Sequence, residues 1–190
     1  MVAIIAILAA IAMPNFIEAQ TRSKVARVKA DMRTLMTALE TYGMDNNSFP
    51  YSAEFFKPMP SKRLNPLTTP ISYLTSIPRD PFVRKTDNSY EYSIRAFDST
   101  EPLDVYLYNQ ANHQFGVGVA DTKQNLMSWS LTSGGPDRII EFPYYAFGDN
   151  FIKDGKHILY IYDASNGTVS SGEIFRRGGL ARTPLPEFND

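Results

Sequence analysis

From Val2 to Met13 nearly every position is apolar, and beyond Pro14 the pattern narrows to one stripe. Val25, Val28, Met32, Leu35, Leu39 and Tyr42 follow one another at spacings of three and four. Such spacing lines one face of an α-helix, so the segment up to Gly43 is predicted as a helix with one side buried. The first part has no such side: Val2, Ile4, Ile5, Ile7, Leu8, Ile11, Phe16 and Ile17 leave no polar face. A helix apolar all round belongs in lipid or among other helices. Val2 to Met13 spans only ~18 Å at ~1.5 Å per residue, against a bilayer core of ~30 Å. A run this short also fits a buried helix or the apolar part of a signal peptide, and Ala10-Ile11-Ala12 has the small-residue form of a cleavage site. Pro14 removes one helical hydrogen bond, so a kink or local melting is expected there without ending the helix. Gly43 is the expected stop, with Asp45, Asn46, Asn47 and Ser48 as turn formers behind it.

From Pro50 to Pro81, prolines at 58, 60, 66, 70 and 78 exclude a long helix or a central strand, which makes this a connecting layer of loops. Thr69-Pro70 has the chemistry of a helix start for Ile71 to Leu74. The pattern then changes period. Tyr90, Tyr92 and Ile94 alternate with polar residues, and Val105 to Tyr108, Phe115 to Val119, Met127 to Leu131 and His157 to Tyr162 have strand composition. In Met127-Trp129-Leu131 the intervening Ser128 and Ser130 predict one apolar and one polar face. One long helix followed by strands points to an α+β fold, with the helix laid on an antiparallel β-sheet. The division expected is a helix over 1–43 and a globular head over 44–190, the proline-rich connection occupying 50–81.

Composition narrows the chemistry. The chain of 190 residues is 43% hydrophobic, enough for one head with a real core. A formal net charge of −1 gives no global electrostatic reason to expect a nucleic acid partner. Locally, Arg22, Lys24, Arg27, Lys29 and Arg33 make the helix basic, with Glu18 and Asp31 partly offsetting them. Two readings stand for that stretch, a solvated face and a juxtamembrane segment attracted to anionic lipid. The absence of cysteine removes disulfides, thiol nucleophiles and cysteine-bound metal. His113 and His157 have no partner at metal-ligand spacing, and no serine sits in a nucleophile elbow. Gly116-Val117-Gly118 lacks the context of a phosphate cradle, and Ser133-Gly134-Gly135-Pro136-Asp137 is a turn by chemistry. Asp137, Asp149, Asn150, Asp154, Asp163 and Asn166 are oxygen donors of the type calcium takes, without regular EF-hand spacing. No catalytic set emerges, and an enzyme is not expected.

The segment from Val2 through Met13-Pro14-Asn15-Phe16 resembles the N-terminal helix of type IV pilin-like proteins. Ile77-Pro78-Arg79-Asp80-Pro81-Phe82, followed by Tyr90-Glu91-Tyr92, is similar to the proline-aspartate-proline-aromatic stretch of the major pseudopilins of type II secretion. The likeness extends loosely to Ser133–Asp137 and Tyr162–Val169. In that family a cleavage and methylation site and a short apolar stretch precede the helix, which would bring the apolar run to the length a spanning helix needs. The resemblance implies a filament subunit, pilus or pseudopilus, self-assembling as a homo-oligomer through Val2, Ile4, Ile5, Ile7, Leu8, Ile11, Pro14, Phe16 and Ile17. It implies the bacterial inner membrane before assembly, a periplasmic or extracellular filament afterwards, and the secretion or pilus assembly machinery as partner. It also implies calcium in a C-terminal loop, though no ligand can be assigned here; otherwise no cofactor is expected. The competing reading is an exported ligand-binding domain released by signal-peptide cleavage after Ala12.

Overall fold

The computed structural model describes residues 2–51, 62–82, 105–110, 128–138, 152–153, 156–157, 162–163 and 172–179. Its first element is a 45-residue helix, α1 (Val2–Asn46), ~68 Å long and unbroken through Pro14. The local melting expected at Pro14 is not seen: one missing hydrogen bond in forty-five residues does not outweigh the bonds on either side. The stop expected at Gly43 also falls later. Gly43 is buried and its role is packing, because a Cβ there would lie 2.7 Å from Cε1 of Phe49. The helix ends three residues on, where Asn47 takes a left-handed φ of 52° and Asn46 turns its side-chain amide back to donate to the Tyr42 carbonyl at 3.0 Å.

Among the described residues five strands follow: β1 (Leu107–Gln110), β2 (Ser128–Ser133), β3 (Ile152–Lys153), β4 (Lys156–His157) and β5 (Ile174–Gly179). β1, β2 and β5 form an antiparallel sheet with β2 in the middle, and β3 pairs with β4 as a separate two-stranded ribbon. A long helix on an antiparallel sheet is the α+β arrangement that the change of period predicts. From Ser128 on, the Met127–Leu131 run is realised as β2, and His157 closes β4, residues 127 and 158–161 lying outside the described residues. The runs Tyr90–Ile94 and Phe115–Val119 lie outside the described residues. β5 was not foreseen, since Arg176-Arg177-Gly178-Gly179 interrupts the apolar pattern after Ile174-Phe175. The expected polar face of β2 differs too: Ser128, Ser130 and Thr132 are as buried as Trp129 and Leu131, so both faces of the central strand are covered. Between Pro50 and Pro81 the helical turn is Asn65–Leu67, before the expected site, while Thr69-Pro70 is a cis peptide within the bend that follows.

The core is the seam between α1 and the sheet. Val28, Met32, Leu35 and Leu39 are fully enclosed, Val25 nearly so, and Tyr42 half-buried, against Tyr106, Tyr108, Trp129, Leu131 and Ile174. Each large side chain buried this way contributes ~1.5–3 kcal/mol. Register explains which strand residues meet the helix. Trp129 lies opposite Gln110 on one side and Gly178 on the other, and Leu131 opposite Tyr108 and Arg176, so these share one face.

Polar groups then fix the seam. Oε1 of Glu40 accepts from the Trp129 indole N–H at 2.8 Å and from the Gly179 backbone N–H at 3.2 Å, tying α1 to β2 and β5 together. Gly178 makes room for this clamp: a Cβ there would run into the Trp129 ring and lie 2.6 Å from Glu40 Oε1. Tyr106 donates to Asp31 Oδ2 at 2.9 Å, and Tyr108 donates to the Pro50 carbonyl at 2.8 Å. The buried Arg63 donates to the Tyr108 carbonyl at 3.1 Å and to Asn109 Oδ1 at 2.7 Å, pinning the connecting layer on β1.

Three substitutions test these contacts. Glu40→Ala leaves the Trp129 and Gly179 donors without their acceptor and lowers head stability by ~2–4 kcal/mol in urea denaturation; Gly178→Ala costs ~1–3 kcal/mol by forcing the ring and the helix apart. Burial, and for Tyr106 also the Asp31 carboxylate, pushes both tyrosine hydroxyls well above their usual range. The native state therefore keeps protons that the unfolded chain releases above pH ~10, so stability is complete below that value and falls as pH rises through it. Tyr108→Phe is less stable at pH ~7 by ~1–2 kcal/mol, but its decline above pH ~10 is shallower by up to ~1.4 kcal/mol per pH unit, read from denaturation curves across that range.

Candidate functional site

What remains after the head is assembled is the first third of α1. Val2, Ile4, Ile5, Ile7, Leu8, Ile11, Met13, Phe16 and Ile17 all stand exposed, from 82% at Val2 to 50% at Ile17. The head begins to cover the helix at Glu18, so a rod of ~24 Å projects from it. Each of these side chains would gain ~1.5–3 kcal/mol on leaving water, and monomeric soluble proteins rarely expose so large a contiguous apolar surface. Pro14 lies on the rod, where the Ala10 carbonyl has no helical donor. By length and composition α1 is a helix that can cross a membrane, and its most apolar 18-residue stretch is not buried against the head.

The polar boundary is abrupt. Glu18 and Arg22 form an ion pair one turn apart, and the Thr21 hydroxyl donates back to the Ile17 carbonyl at 3.0 Å. Further along the exposed face, Thr34, Thr37 and Thr41 likewise donate to carbonyls four residues earlier. Their hydroxyls are thus satisfied within α1. Arg22, Lys24, Arg27, Lys29 and Arg33 are exposed, with Arg27 Nε 3.7 Å from Asp31 and Lys24 Nζ 6.0 Å above the Phe82 ring.

The head itself assembles no reaction centre among the described residues. No three His, Asp or Glu side chains converge there. Asp137 lies in the Gly135–Arg138 turn, where its Oδ2 accepts from the Gly172 N–H at 3.4 Å; a Cβ on Gly135 (φ 60°) would lie 2.6 Å from the Gly172 carbonyl oxygen. Asp163 is exposed. Asp149, Asn150, Asp154, Asn166 and His113 lie outside the described residues. Among the described residues no calcium ligand set is brought together. Sequence reasoning missed Glu40, which sits one residue from the stripe and turns out to hold the helix to two strands. A carboxylate beside Leu39, in a chain with one tryptophan, was the available signal.

A long helix, sheathed by an antiparallel sheet over most of its length and bare and apolar over its first third, defines a pilin-like protein. Residues 15–129 match the family model described as Type II secretion system (T2SS), protein G, and the chain belongs to this family, that of the major pseudopilin. It is similar to the Type II secretion system core protein G of Vibrio cholerae serotype O1, 24% identical over 133 residues that cover 68% of this chain and 85% of the relative. No solved structure matches the chain. The family is a structural component of a secretion system, and the chain is a pseudopilus structural subunit.

Proposed function

We propose that the subunit polymerises with copies of itself through Val2, Ile4, Ile5, Ile7, Leu8, Ile11, Pro14, Phe16 and Ile17, while the stripe Val25, Val28, Met32, Leu35, Leu39 and Tyr42 serves only the fold of its own head. The observation that carries this is the bare apolar rod on a head whose own core is closed without it. Before assembly the rod lies in the inner membrane with the head on the periplasmic side. On assembly it moves into a bundle of neighbouring rods, and the heads form the outer surface of the filament. One apolar environment replaces another, so the rod need never face water, and packing between helices supplies the preference for the filament. Secretion machinery supplies the work of extraction, and no reaction is catalysed by the subunit.

Ile7→Asp or Ile11→Asp places a charge in both environments at a cost of ~3 kcal/mol or more, so filaments are absent by electron microscopy while circular dichroism of the head is unchanged. Normal filaments from either variant contradict self-assembly through the rod. Mass spectrometry of the native N-terminus separates this reading from an exported binding domain: a mature chain starting at Met13 supports the latter, whereas a methylated residue upstream of Met1 supports the filament subunit.

A further inference from the structure

The basic residues of α1 are not absorbed by the filament reading, and their position relative to the rod is specific. Ile17 is the last exposed apolar side chain of the rod. Along the axis, Arg22 follows it by ~7 Å, Lys24 by ~10 Å, Arg27 by ~15 Å, Lys29 by ~18 Å and Arg33 by ~24 Å. Cα–Cβ bonds of a helix lean toward its N-terminus, so extended Lys and Arg side chains here reach back toward Ile17 by several Å. A headgroup layer is roughly 5–7 Å deep outside a ~30 Å hydrocarbon core. Arg22 and Lys24 therefore bring their charges to its level, Arg27, whose Nε is beside Asp31, and Lys29 to within about a Debye length of it, and Arg33 beyond both.

The underside of the head lies at the same height. Tyr162, half-buried, is near enough to Glu18 and Arg22 for both charges to act on its hydroxyl, with Asp163 beside it. These carboxylates leave a cationic excess: Glu18 pairs with Arg22 and Asp31 with Arg27, whereas Lys24 and Lys29 have no carboxylate at ion-pair distance among the described residues. Five cations against two carboxylates between Glu18 and Arg33, in a chain of net charge −1, make this the basic part of an otherwise acidic molecule. Such a collar, continuous with an apolar rod, matches the interface between acyl chains and phosphate.

We propose that Arg22 and Lys24, with Arg27 and Lys29 behind them, bind the anionic phospholipid headgroups of the leaflet from which the head projects. The collar sets the depth and upright stance of the subunit before assembly. It rests on the membrane reading of Val2–Ile17 and adds to it the class of lipid recognised. Each cation at the surface contributes roughly fivefold in partition into anionic membrane, a gain that salt reduces.

The full chain, added from detergent to vesicles of phosphatidylcholine alone or of equal parts phosphatidylcholine and phosphatidylglycerol, is separated by flotation. Wild type is expected to favour the anionic vesicles by roughly twentyfold or more, the paired substitution Lys24→Gln with Arg27→Gln to lose most of that preference, and Arg33→Gln to keep it. Partition of all three into neutral vesicles should be equal. Equal partition of wild type into both vesicles overturns the proposal, as does an Arg33→Gln effect as large as that of the pair. Normal anionic partition of the paired variant with failed filament assembly assigns the cations to the acidic surface of a second copy instead. If wild type enters neither vesicle, the membrane reading itself fails and the collar with it.

Discussion

The seam between α1 and the sheet determines the position of every other part. Val28, Met32, Leu35 and Leu39 are enclosed only because Trp129, Leu131 and Tyr108 come from neighbouring strands at matching heights, and Glu40 then joins β2 and β5 to the same helix face. With that face used, the helix cannot also shelter its first third. The rod is thus a consequence of geometry: at ~1.5 Å per residue, a helix of this length outruns a sheet whose strands have no more than six residues. The surplus must find an apolar solvent of its own.

This division separates stability from function along one element. Tyr106 to Asp31, Tyr108 to Pro50 and Arg63 to β1 are all contacts of the head with itself, and none involves a residue before Glu18. In the proposed assembly a change on the rod therefore abolishes association while the head stays intact, and a change in the seam unfolds the head without touching the rod. The backward-bonded Thr21, Thr34, Thr37 and Thr41 fit this division, since they keep the exposed helix face from demanding hydrogen bonds from a neighbour.

The helix and its stripe were legible because period 3.6 persists over five turns, and the rod because no face of it is polar. What escaped had competing local signals. Gly43 reads as a stop, yet the ring of Phe49 needs the space its missing Cβ leaves, and Asn47, equally able to turn left-handed, ends the helix instead. Ser128 and Ser130 read as a solvent face because alternation reports polarity, whereas burial depends on what covers the back of the sheet. β5 was hidden by Arg176, Arg177 and two glycines. Gly178 is there because Trp129 and Glu40 meet above it, a requirement set from a distant part of the chain. Pattern alone placed the rod in an apolar setting, and the family, a structural component of a secretion system, is consistent with membrane anchoring before assembly.

The central claim is that the head is complete without the rod. Removing residues 1–17 and measuring solubility, association state and urea denaturation of the remaining chain tests it directly. A soluble, monomeric head that unfolds cooperatively at the same denaturant midpoint as the full chain carrying a charged rod is the expected result. A truncated head that aggregates, or whose midpoint falls well below that of the full chain, contradicts it.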